Sequence, residues 1–76
     1  MAIRVKLNGD AVLKTLAKRN MSQNMLAIKA GLSSSYISNI ICGIRYPSPG
    51  VRERLQSVLQ PMTFDDIFII EEIGKK

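Results

Sequence analysis

Hydroxyl and amide side chains are concentrated in the middle of the chain, with serine at positions 22, 33, 34, 35 and 38 and asparagine at position 39. Such groups recognise partners by hydrogen bonding. Catalysis is disfavoured, because a chain with no histidine and one cysteine has no His-based triad, Cys/His zinc site or disulfide framework. It also lacks a nucleophile–base pair and a phosphate-binding glycine loop. The sequence therefore predicts a protein that is not an enzyme and that needs no metal, cofactor or small-molecule ligand.

Two of these serines stand where helices would begin, which predicts helices at about 23–30 and 34–41. Ser22 and Ser33 can each accept a hydrogen bond from a free backbone N–H in the following turn. Between them, Gly31 can adopt the left-handed conformation that ends a helix without a Cβ clash. Ala27 is small where the helices approach, and a shared core is expected from Leu26, Ile37 and Ile40. Residues 22–43 thus have the layout of a helix-turn-helix, whose second helix enters a DNA major groove.

The charge balance also favours a polyanionic partner. Lysine and arginine outnumber aspartate and glutamate by 11 to 6, giving a formal net charge of +5 in 76 residues. Charge alone separates nucleic acid from an acidic membrane surface poorly. No segment approaches the ~20 apolar residues that span a bilayer, so a cytoplasmic protein without a membrane partner is expected. The length suits one small domain covering residues 1–76.

The segments before the motif are predicted to be a strand and a helix. From Met1 to Asn8 the apolar residues Ile3, Val5 and Leu7 alternate with basic ones, which favours a short strand. A first helix follows from about Ala11 to Arg19, capped by Asn8 or Asp10. Its expected apolar stripe is Val12, Leu13, Leu16 and Ala17, and its solvent side carries Lys14, Lys18 and Arg19.

The segments after the motif are predicted to be two helices and a tail. Ser48 and Pro49 start a fourth helix, since proline suits the first helical position, and Pro61 ends it. Its buried face is expected to hold Val51, Leu55, Val58 and Leu59. Thr63 and Asp66 resemble a capping box for a short fifth helix, which would turn Phe64, Ile67 and Phe68 inward. The tail from Phe68 to Ile73 could instead be a strand, paired with Ile3–Leu7 in a two-stranded ribbon, and Lys75 and Lys76 are expected to fray.

The motif resembles the Cro and phage-repressor type of helix-turn-helix, the XRE family, over roughly residues 8–68. The resemblance is carried by Ser22-Gln23, Leu26-Ala27, Ala30 to Ser33, Ile37-Ser38, Gly43, Arg45, Pro47-Ser48 and Phe64 to Phe68. It implies an all-α, five-helix, lambda-repressor-like domain, to which the terminal strands could add a β-ribbon. The chain departs from the family where apolar Leu16 and Ile41 replace an ion pair, and where Met25 and Ile28 replace exposed polar residues. Cys42 is interpreted as a small packing residue.

The resemblance also implies which side chains face DNA. Gln23 matches a glutamine that contacts a phosphate and braces the recognition helix. Base edges would be read by Ser34, Ser35 and Asn39, and the sugar–phosphate backbone would lie near Ser33, Tyr36 and Arg45, with Ser38 completing the DNA-binding set. Serine discriminates bases less sharply than asparagine, so modest direct readout, supplemented by water or DNA shape, is predicted. For two of these residues an alternative to DNA contact remains open. Ser33 could serve solely to cap the helix predicted at 34–41, and Tyr36 could be a half-buried core aromatic.

Two functional hypotheses follow. The first is a sequence-specific regulator of transcription that binds double-stranded DNA, a repressor of the phage or mobile-element type. It would act as a homodimer on a near-palindromic operator, joined through the tail at Ile69 and Ile70 or through the segment near Ile44 and Tyr46. The second is a protein-interaction module, such as an antitoxin that binds a partner protein as well as DNA. The apolar pair Met25 and Ile28 and the apolar tail support that alternative.

Overall fold

Five helices lie between two terminal strands in the computed structural model, which describes residues 2–74. In chain order the elements are β1 (Ala2–Leu7), α1 (Gly9–Lys18), α2 (Gln23–Ala30), α3 (Ser34–Ile41), α4 (Pro49–Val58), α5 (Phe64–Ile67) and β2 (Phe68–Ile73). The predicted five helices are confirmed. The all-α class is right only in part, because β1 and β2 form an antiparallel sheet. Met1, Lys75 and Lys76, on which expectations also fell, lie outside the described range.

The two strands pair from Ala2 opposite Ile73 to Leu7 opposite Phe68, as the ribbon prediction proposed. Leu7 and Phe68 are buried at the inner end, next to the helices. Towards the outer end the same face carries Ile3 and Ile70, which are 61% and 56% exposed. The alternation that predicted β1 is therefore present, but the helices cover only the inner part of its apolar face.

The core is formed by apolar side chains from every helix and from the inner end of the ribbon. Its buried members are Leu7, Val12, Leu16, Leu26, Ala27, Ala30, Ile37, Ile40, Leu55, Leu59, Ile67 and Phe68. Half-buried residues complete it, including Met21, Val51, Val58 and Phe64. The inward faces predicted for the last two helices are thus confirmed.

Helix α1 differs from its prediction at its start and on its surface. Asn8 caps it by accepting a hydrogen bond from the Ala11 N–H at 3.2 Å, so the helix begins at Gly9, before the predicted Ala11. The buried apolar stripe of α1 is narrower than expected, since Leu13 and Ala17 are exposed. The reason is that α1 packs on α3 and α5, which cover the line of Val12 and Leu16.

The positions predicted from the sequence for two further side chains are wrong. Cys42 is exposed and therefore does not pack in the core. Arg19 does not point to solvent but donates hydrogen bonds to the carbonyl oxygens of Val58, Leu59 and Gln60 at the end of α4, at 3.4, 3.0 and 2.8 Å. Arginine has a long apolar stem and several donors, so a position on the polar side of a helix did not determine where its guanidinium binds.

Candidate nucleic-acid interface

Helices α2 and α3 are positioned by the caps and the turn that the sequence predicted. The Ser22 hydroxyl accepts from the Met25 N–H at 3.0 Å, and the Ser33 hydroxyl accepts from the Tyr36 N–H at 3.1 Å. Gly31 ends α2 in the left-handed conformation, with φ +72°, and the Leu32 N–H then donates to the Ala27 carbonyl at 2.8 Å. These bonds satisfy backbone groups that the helix ends would otherwise leave unpaired.

The outward face of α3 is polar. Ser34, Ser35 and Ser38 are exposed and Asn39 is half-buried, and helical spacing sets these four on one side of α3. Ile37 and Ile40 occupy the other side and are fully buried. This side of α3 presents hydroxyl and amide groups in a row, which is what reading the edges of base pairs requires.

One polar contact between the two helices was not predicted. The Ser34 hydroxyl donates a hydrogen bond to the side-chain oxygen of Asn24, in the first turn of α2. Both side chains are exposed. A polar residue in the first turn of each helix was the available signal, because a helix-turn-helix brings these turns together.

The segment after α3 folds back over the end of that helix. The N–H groups of Ile44 and Arg45 both donate to the Asn39 carbonyl oxygen, at 2.9 and 3.2 Å. The Arg45 guanidinium then lies 5.5 Å from the centre of the Tyr36 ring, close enough for a cation–π interaction. Tyr36 is half-buried against the core, so the core packing that was the alternative to a backbone contact is present, and its ring also supports Arg45. Gln23 is exposed at the first position of α2.

Charge is distributed unevenly along the chain. Residues 11–52 contain six basic residues and no aspartate or glutamate, whereas acidic residues stand at positions 10, 53, 65, 66, 71 and 72. This stretch covers the whole motif, and its acid-free composition was a signal readable from the sequence alone. A surface of one charge sign raises the local concentration of a partner of the opposite sign.

The basic residues of the ribbon, in contrast, are paired with an acidic residue of the fold. Arg4 and Lys6 both pair with the Glu71 carboxylate, at 3.0 and 3.1 Å, and the Tyr46 hydroxyl donates to it at 3.2 Å. Arg4 also lies 4.5 Å from the centre of the Tyr46 ring. Lys6 first, then Arg4, lowers the pKa of Glu71 below its ordinary value. Among residues 2–74, the basic side chains outside these ion pairs therefore lie between positions 14 and 54, the part of the chain that contains the motif.

Metal-binding clusters and membrane-spanning helices are both absent from the part of the chain that the structure describes. Between residues 2 and 74 no group of three or more His, Cys, Asp or Glu side chains is arranged to hold a metal ion. Within the same residues, none of the helices has the length and apolar composition that crossing a membrane requires.

A family model described as helix-turn-helix matches residues 13–67, which is more than half of the chain and spans α2, α3, α4 and α5 completely. No curated protein and no solved structure is significantly similar to the chain.

Proposed function

The chain belongs to the XRE type of helix-turn-helix proteins, which are DNA-binding regulators of transcription, and on this premise we propose that it is a repressor of the phage or mobile-element type. It acts as one domain over residues 1–76 and binds a near-palindromic operator as a homodimer. Repression is the simplest regulatory action for this surface, because occupying a promoter blocks transcription without a further contact to the polymerase.

The observation that carries the proposal is the polar outward face of α3 inside an acid-free stretch. Ser34, Ser35, Ser38 and Asn39 supply hydrogen-bonding groups for base edges. Backbone contacts come from Gln23, Ser33, Tyr36 and Arg45. Support for Arg45 comes from its place beside Tyr36, where the ring restricts a flexible cation next to the recognition helix.

Selection of bound duplexes from a random pool, followed by a salt titration on the selected site, tests the proposal. Log affinity should fall linearly with log salt, by about 0.9 per phosphate neutralised. Arg45→Ala should reduce the magnitude of this slope by about 0.9, the contribution of one phosphate contact. Lys6→Ala is the matched control, because it removes a cation that is already paired with Glu71, and it should leave the slope unchanged. Affinity that does not vary with salt would contradict DNA binding through this surface.

The antitoxin alternative is favoured by one observation. Met25 and Ile28 are 42% and 68% exposed and stand one turn apart on α2. A protein partner that covers this pair should be lost in Ile28→Gln, which adds no charge, while DNA affinity persists. Co-purification of a stoichiometric small protein with the wild type, and its loss in Ile28→Gln, would favour this function.

A further inference from the structure

The hydrogen bond between Ser34 and Asn24 determines what Ser34 can offer to DNA. A serine hydroxyl has one hydrogen to donate and two lone pairs that accept. At Ser34 the hydrogen is donated to the Asn24 side-chain oxygen, which leaves the lone pairs at the exposed start of α3. Ser33 next to it is in the opposite state, since its oxygen accepts from the Tyr36 N–H and its hydrogen remains available.

The two serines therefore suit different parts of a DNA duplex. Phosphate oxygens only accept hydrogen bonds, so they suit the free hydrogen of Ser33. They do not suit Ser34, whose lone pairs need a donor. In the major groove the bases present donors only as amino groups, at N6 of adenine and N4 of cytosine.

We propose that Asn24 is a specificity-determining residue: it fixes the Ser34 hydroxyl as an acceptor, so that Ser34 selects a base with an exocyclic amino group, adenine or cytosine. This inference rests on the proposed function, because it assumes that α3 enters the major groove. Without Asn24 the hydroxyl can rotate and either donate or accept. Asn24 therefore excludes guanine and thymine, whose carbonyl oxygens need a donor.

The test uses base selection from a random duplex pool with the wild type, Ser34→Ala, Asn24→Ala and Ser57→Ala. Ser34→Ala and Asn24→Ala should relax the preference for adenine or cytosine at the same operator position, by about fivefold, the usual worth of one neutral hydrogen bond. Ser57→Ala is the matched control, since Ser57 is an exposed serine on α4, outside the DNA-binding residues, and it should leave that position unchanged. Removing the amino group, by purine for adenine or 2-pyrimidinone for cytosine, should weaken the wild type but not Ser34→Ala.

A fourth variant separates base reading from overall affinity. Asn24→Asp keeps an oxygen that accepts from Ser34 but adds a negative charge near the phosphates, so it should bind all duplexes less tightly while retaining the base preference. The inference is overturned if the wild type selects a site and Asn24→Ala retains every base preference with an unchanged circular dichroism spectrum. If the wild type selects no site and its DNA affinity does not depend on salt concentration, the proposed function is wrong together with the inference.

Discussion

At the scale of one residue, position 9 has to be a glycine because the start of α1 lies close to the end of α3. A Cβ built at Gly9 would lie 2.6 Å from the carbonyl oxygen of Ile41, which is backbone at the end of α3 and cannot swing away. We predict that Gly9→Ala lowers the free energy of unfolding by about 1–3 kcal/mol, the usual cost of overpacking. Gly50→Ala is the control: it has no atom within 4 Å and should stabilise α4 by about 0.5–1 kcal/mol. Urea denaturation measures both, and equal shifts would contradict the close approach.

Substitutions of Asn39 and Gln23 are predicted to affect DNA binding in different ways. Asn39→Ala should weaken binding to the selected operator by roughly 1–3 kcal/mol and relax the preference at one base pair. Gln23→Ala should weaken binding to specific and random duplexes evenly, because a phosphate contact carries no sequence information. Fluorescence anisotropy with both duplexes measures this. Equal losses on both duplexes for Asn39→Ala would mean that α3 is not the reading element.

At the scale of elements, Arg19 joins the end of α1 to the end of α4. Its guanidinium donates to three carbonyl oxygens of the 58–60 segment, two of them at 3.0 Å or less, where a helix end leaves carbonyls unpaired and carries partial negative charge. We predict that Arg19→Ala lowers the free energy of unfolding by about 1–2 kcal/mol. Lys18→Ala, at an exposed neighbour, should change it by less than ~0.5 kcal/mol. Similar effects of the two changes would contradict the capping role.

The ribbon should make stability depend on pH at the acidic end. Lys6 and Arg4 lower the pKa of Glu71 below its ordinary value of 4.5. Since the folded pKa is the lower one, the carboxylate stabilises the fold above pH 4.5, and this stabilisation is lost as the pH falls through the folded pKa. We predict that Glu71→Gln reduces the decline of the thermal midpoint on acidification. Glu72→Gln is the control, because Glu72 lies on the other ribbon face opposite Ile3. Equal pH profiles for Glu71→Gln and the wild type would contradict the coupling.

The elements that the sequence predicted correctly depend on neighbouring residues. Ser22, Gly31 and Ser33 define the turn from within a few positions, and Thr63 with Asp66 forms the predicted capping box. Pairing of the ribbon was also predictable, because a lone strand leaves its backbone unpaired. Arg19 and Asn24 were missed since their partners are 39 to 41 and 10 residues away. Such distant contacts depend on the three-dimensional packing of the elements, which helical periodicity does not contain.

The same limit applies to the DNA-contacting residues. Their exposure on α3 follows from periodicity, as it does for Ser34 and Ser38. Their hydrogen-bonding state does not, because it is set by a residue of another helix. The roles assigned by resemblance therefore stay predictions until base selection tests them.

At the scale of the whole molecule, one copy of α3 presents too few reading groups to define a target among competing genomic sites. Two copies related by a two-fold axis would double the reading, with half-site centres about one helical turn, ~34 Å, apart. The surface available for joining them is apolar and exposed. Ile3 and Ile70 share one ribbon face beyond the helices, and exposed isoleucines on an edge strand favour association with a second copy.

We predict a homodimer on the operator, joined through the outer end of the ribbon. In sedimentation equilibrium with the selected full-length duplex, two chains should bind each duplex, even if the free protein dimerises only weakly. Ile70→Thr keeps a β-branched residue in β2 but removes apolar surface, so it should reduce cooperative binding of the second chain. Ile44→Thr is the control, since Ile44 is 71% exposed on the segment after α3, the competing dimer surface. A one-to-one complex that persists at excess protein would contradict the dimer. Loss of cooperativity in Ile44→Thr but not in Ile70→Thr would show that the dimer interface is the segment after α3 instead.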